Sequence, residues 1–135
     1  MGEFFVGVKS LIIFKRRILL LRHAESYSSQ QEWEYPGGAM IFGESIHETL
    51  SREVKEETGL DIKIGKLLLA MTTMVGNRQC VGLTYISQAT DDKVVLSDEH
   101  TDFIWANKEQ LINMLSEPML INLIENSVID SLEID

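Results

Sequence analysis

The stretch that most constrains this chain is Gly38–Leu60, GAMIFGESIHETLSREVKEETGL. Ser45 is a strong N-cap residue, and Glu48, three positions on, completes a capping box. Ile46, Leu50 and Val54 recur every fourth residue and predict a buried helical stripe. Gly59 predicts where the helix stops. Glu53, Glu56 and Glu57 then stand at i, i+3 and i+4, on one face. Like charges at that spacing repel by roughly 0.2–0.5 kcal/mol per pair. They also lie toward the C-terminal end, where the helix dipole disfavours anions. A local conflict of this kind is expected at functional sites. A hard divalent cation, which prefers oxygen ligands, would relieve it. The bland alternative is a solvated acidic face beside Arg52 and Lys55.

The flanking sequence predicts an α/β domain. Phe4–Phe14 and Ile18–Arg22 are rich in branched and aromatic residues and read as strands joined by the basic turn Lys15–Arg17. His23–Glu34 reads as a loop, and YPGG follows it. Beyond the helix, Asp61–Thr73 and Gln79–Gln88 read as strands split by the turn VGNR. Phe103–Trp105 reads as a further short strand. Asn107 caps a helix to about Ser116, with Gln110 at its capping-box position. A last helix is expected from near Pro118, with Leu120, Leu123, Ile124 and Val128 on one face. Strands, helix, strands, then helices imply a layered domain with a mixed sheet.

Composition narrows the partners. The 135 residues carry a formal net charge of −9, so extended nucleic-acid binding is disfavoured. A small anionic substrate is still admissible where metal ions bridge it to carboxylates. The length suits one domain, residues 1–135. Cys80 is the only cysteine, which rules out a disulfide within the chain and suits a reducing, cytoplasmic setting. The longest apolar run, SLIIFKRRILLL, is broken by Lys15, Arg16 and Arg17, so no membrane span is expected.

Read in full, the central run matches G-x5-E-x7-R-E-U-x-E-E-x-G-U, where U is a bulky aliphatic residue. Gly38, Glu44, Arg52, Glu53, Val54, Glu56, Glu57, Gly59 and Leu60 fill every defined position. Seven fixed residues at about 7% usage each would coincide at a given start with a probability on the order of 10⁻⁸. The run resembles the Nudix box of the Nudix hydrolases. WEYPGG, Trp33–Gly38, and SDEHTDFIWA, Ser97–Ala106, resemble the segments before and after it in that family.

The resemblance implies a Nudix-type α/β/α sandwich with a loop–helix–loop that binds Mg²⁺, or Mn²⁺ in its place. By matching position, Glu53, Glu56 and Glu57 would be metal ligands, joined by the carbonyl of Gly37. Arg52 would orient Glu53. Glu44 would brace the loop, and Gly38 would let the backbone turn and approach closely. Either Glu53 or Glu99 would be the general base, with Asp98 and Asp102 as alternatives to Glu99. Arg22, at a strand end, is a candidate for holding phosphates. Trp33 and Phe103 are candidates for stacking on a base, with core packing as the commoner use of such rings. Asn107 is better read as a helix cap than as a base contact.

The implied activity is Mg²⁺-dependent cleavage of a pyrophosphate bond in a nucleoside di- or triphosphate or a derivative. A proline some fifteen residues past the box marks many ADP-ribose hydrolases, and a tyrosine there marks many dinucleoside polyphosphate hydrolases. The corresponding segment here is TTMVGN, which favours a MutT-like nucleoside triphosphate pyrophosphohydrolase over those two. A nucleotide-sensing module without turnover is the alternative from another class. The family also implies a monomer or homodimer. A separate motif, LLLRHAES at Leu19–Ser26, resembles the histidine phosphatase signature. Its usual glycine is Ala24 here, and the second histidine it needs would be His47 or His100. His23 is therefore read as a strand-end or loop histidine.

Overall fold

The computed structural model describes residues 2–24 and 32–135. Among these residues, seven strands and four helices follow in chain order. They are β1 Glu3–Phe14, β2 Arg17–His23, β3 Trp33–Glu34, β4 Gly37–Ala39, α1 Ile46–Thr58, β5 Ile62–Val75, β6 Arg78–Ala89, β7 His100–Ala106, α2 Lys108–Met114, α3 Glu117–Glu125 and α4 Val128–Ser131. Most of the expected loop 23–34 lies outside the described residues, and its end forms β3.

The strands build one mixed sheet in the order β3-β2-β1-β6-β5, with β4 added to β1 and β7 to β2. β1 and β6 run parallel from Glu3↔Arg78 to Ile13↔Gln88. On its other side β1 meets β2 at only two residue pairs, Ile13↔Ile18 and Phe14↔Arg17. The two strands then part, and Trp33–Ala39 wedges between them. β3 pairs with β2 and β4 pairs with β1. Within the wedge, the Pro36 carbonyl accepts from Ser10 N–H at 3.0 Å. That fork in the sheet is where the site forms.

Successive strand residues point to opposite faces, and both faces are covered. Leu11, Ile13, Ile18 and Leu20 pack with Leu111, Leu123 and Val128 of α2, α3 and α4. Val8, Ile12, Leu19 and Leu21 pack with Leu50 and Val54 of α1. Burial on both faces explains why LIIF and ILLL are continuous apolar runs rather than alternating ones. The outcome is the α/β/α sandwich that the resemblance implied.

Two expectations need correction. The last helix is not one element: α3 ends at Glu125, Ser127 takes φ 57°, and α4 restarts at Val128. Ile124 consequently faces solvent at 58% exposure, while Leu123 and Val128 are buried. The strand expected at Phe103–Trp105 extends to His100–Ala106, because Asp102–Ala106 and, past a register shift, His100 pair with β2. No described helix is long and apolar enough to cross a membrane.

Candidate active site

The helix α1 forms as its sequence dictates. Ser45 Oγ accepts from Glu48 N–H, the Glu48 carboxylate accepts from Ser45 N–H, and Gly59 closes the helix at φ 73°. The stripe of Leu50 and Val54 continues one turn further to Glu57, which is only 4% exposed. Glu53 and Glu56 flank it with side chains 17% and 58% exposed. The carboxylates therefore grade from core to solvent, which removes the reading of a wholly solvated acidic face.

Glycines bring the wedge against this helix. Gly37 sits at φ 147°, and a Cβ there would stand 2.1 Å from the Val8 carbonyl oxygen. The positive φ thus belongs to Gly37, not Gly38. Gly38 is the point of close approach: a Cβ on it would lie 2.3 Å from Glu53 Cδ. Gly37 N–H donates to Glu57 Oε1 at 2.9 Å. Burial pushes the Glu57 carboxyl up to about 8, against the pull of that N–H and of Lys9.

Arg52 ties the loop to the helix. Its Nε donates to Glu44 Oε2 at 2.6 Å and its Nη2 to Glu44 Oε1 at 3.0 Å, a bidentate pair. Its Nη1 reaches Glu53 Oε1 at 2.9 Å and, at 3.4 Å, Glu56. Glu44 also accepts from Ile41 N–H and the Thr49 hydroxyl, each at 2.9 Å. The Arg52 hydrogen bonds, then the Ile41 N–H, hold the Glu44 carboxyl down at about 2. Glu44 in turn raises the Arg52 guanidinium above its ordinary value.

The loop before β7 is pinned to the open end of α1. Val95 N–H donates to the Thr58 carbonyl and Ser97 N–H to the Glu57 carbonyl, satisfying acceptors that a helix end leaves free. This carries Glu99 to the cluster. Ligand atoms of Glu57, Glu99 and His100 all lie within 4.8 Å of one another. Asp98 is not in that group, and Asp102 instead stands 3.9 Å from Arg22 Nη1. Arg22 makes no hydrogen bond or ion pair to the α1 glutamates among the described residues.

A family model described as the NUDIX domain matches residues 5–123. The chain belongs to the Nudix family. Among relatives of this Nudix chain, the Escherichia coli K12 "CTP pyrophosphohydrolase" is 26% identical over 121 residues, covering 89% of each protein. "Nudix hydrolase 2" of Arabidopsis thaliana is 34% identical over 65 residues, which span 47% of this chain and 23% of that protein. Among solved structures, the MutT protein of Methanosarcina mazei superposes with a TM-score of 0.78 at 25% identity, covering 97% of this chain and 94% of that one.

Two features of this Nudix chain lie outside the site that the sequence pattern assigned. One is a mostly apolar cavity of about 200 Å³ between the sheet and α3, lined by Lys9, Leu69, Met71, Thr84, Met119 and Asn122 among others. Lys9 shares a wall with the box, since it pairs with Gly37 and its Nζ donates to Glu34 Oε1 at 2.8 Å. Burial alone would lower the Lys9 ammonium, but Glu34 outweighs it and holds Lys9 above its ordinary value. The other is a meeting of His23 with His100, whose ring centroids are 5.0 Å apart. Their positions in sequence carry no periodic signal linking them; only the β2–β7 register does so. Of the aromatic candidates, Trp33 packs against the core and Phe103 is 41% exposed. Asn107 caps α2 by accepting from Gln110 N–H.

Proposed function

We propose that this Nudix enzyme hydrolyses a pyrophosphate bond in a nucleoside triphosphate with the help of Mg²⁺ or Mn²⁺, releasing a nucleoside monophosphate and pyrophosphate. The observation that carries the reading is the graded row Glu53, Glu56 and Glu57 closed on one side by Gly37 and Gly38. These residues fit a hard cation. The donors are carboxylate oxygens, Gly38 leaves room at the Glu53 carboxylate that a Cβ would fill, and buried Glu57 accepts from the Gly37 N–H rather than from a basic side chain among the described residues. The Gly37 carbonyl is the natural further donor.

When bound, the ions polarise phosphoryl oxygens and acidify a water. The chain's own residues do the rest. Arg52 holds Glu53 in one orientation and Glu44 locks Arg52, so the carboxylates are positioned before substrate arrives. Glu53 or Glu99 accepts the proton of the attacking water. The apolar cavity beside Lys9 receives the nucleobase, with Asn122 and Thr84 as polar contacts, while the phosphates extend across Gly37 toward the glutamates. The relative named a CTP pyrophosphohydrolase, which aligns over 89% of this chain, supports a nucleoside triphosphate.

Incubating the protein and Mg²⁺ with nucleoside triphosphates, ADP-ribose and dinucleoside polyphosphates, and separating the products by chromatography, tests this directly. A monophosphate and pyrophosphate should form, and Glu53→Gln and Glu56→Gln should each slow the reaction by at least ~100-fold. Tight nucleotide binding with no product over hours would instead identify a sensor module.

A further inference from the structure

Three side chains beside the α1 carboxylates, His23, Glu34 and His100, play no part in the chemistry above. The sheet assembles them. His23 and His100 are opposed residues on β2 and β7, at a register shift between Arg22 and His23. Their rings stack with an interplanar angle of 29°. Glu34 on β3 pairs with Leu21, one diagonal step from His23. A nitrogen of each histidine and an oxygen of Glu34 lie within 4.8 Å of one another.

Burial sets this trio apart from an ordinary surface cluster. His100 is 4% exposed and Glu34 is 8% exposed. Buried histidines normally satisfy both ring nitrogens. Neither Nδ1 nor Nε2 of His100 has a hydrogen-bond partner among the described residues. Glu34 is oriented as an outer contact would orient a ligand: Lys9 holds Oε1, and the other oxygen, Oε2, contacts His23 Nε2. The Lys9 charge beside Glu34 opposes a cation, but Glu57 and Glu99 stand within 4.8 Å of a ligand atom of His100 and offset it.

We propose that His23, Glu34 and His100 form a second cation site, selective for a borderline transition ion such as Zn²⁺. Two imidazole nitrogens and one carboxylate oxygen are the donor set such ions favour, and three protein donors leave a fourth position for water or substrate. Mg²⁺ prefers oxygen donors, so the donor set separates this site from the α1 glutamates. Because His100 also borders Glu57 and Glu99, an ion held here would lie beside the same cleft. That last use rests on the proposed hydrolysis; the ion site does not.

Calorimetric titration of Zn²⁺ into chelator-stripped protein tests it, using the Glu53→Gln/Glu56→Gln double variant to silence the oxygen site. That variant should take up about one equivalent of Zn²⁺, and adding His23→Ala should weaken uptake by at least ~tenfold. In ¹⁵N NMR, the imidazole signals of His23 and His100 should shift together as Zn²⁺ is added. His100→Gln should act like His23→Ala; if this buried substitution does not fold, His23→Ala and the imidazole signals decide. Absent uptake in the double variant, uptake indifferent to His23→Ala, or unmoved imidazole signals would each overturn the proposal. A protein that binds Zn²⁺ in this way yet cleaves no nucleotide with Mg²⁺ would refute only the hydrolytic reading.

Discussion

Gly38 and Glu44 show how single residues hold the candidate site in shape. A methyl group at position 38 would overlap the Glu53 carboxylate, so Gly38→Ala must displace Glu53. Turnover in Gly38→Ala should fall by about 100-fold with the circular dichroism spectrum unchanged, since small misplacements of reacting groups cost that much. A rate near that of the parent would contradict the contact. Glu44 makes a prediction in pH. Its folded value near 2 lies below the ordinary 4.5, so its stabilising effect is complete above pH 4.5 and disappears as pH falls toward 2. The Tm difference between the parent and Glu44→Gln, measured metal-free, should therefore be widest near neutrality and close across that window. A constant difference would mean that charge is not what Glu44 contributes. At this scale the box glutamates were legible, because their spacing is a dense pattern. The burial of Glu57 was less so: it follows from extending the Leu50–Val54 stripe by one turn, which treating the three carboxylates as equivalent passes over. His100 and Glu34 were not legible as a pair, since tertiary pairing alone unites them.

Elements were legible where local chemistry sets them. Ser45, Glu48 and Gly59 bound α1, and Asn107 with Gln110 starts α2, all as capping rules require. The parallel β1–β6 pairing was not legible, because strand composition does not encode which distant strand becomes a neighbour. The break after α3 is hidden for a different reason. Leu120, Leu123, Ile124 and Val128 keep helical spacing across Asn126 and Ser127, and the apolar pattern masks the left-handed residue between them. Ser127 holds φ 57° without glycine's freedom. Ser127→Gly should therefore stabilise the protein by up to ~1 kcal/mol in urea unfolding. Destabilisation would show that its side chain matters more than its backbone.

At the scale of the whole molecule, the fork between β1 and β2 gathers carboxylates in a chain already carrying −9. Such a protein should be held together better with a cation in the fork than without one. Mg²⁺ at about 100 times its dissociation constant should add about 2.7 kcal/mol to folding stability, read as a rise in Tm. An equal concentration of Na⁺ should not reproduce it. The layered sandwich itself was readable from the order of elements, whereas the cavity beside α3 emerges only when both layers are packed. The most direct test of the central claim is calorimetric titration of Mg²⁺ into the stripped protein and into Glu53→Gln/Glu56→Gln. Saturable uptake by the parent, abolished in the double variant, is the predicted result. No saturable uptake, or equal uptake by both, would contradict it.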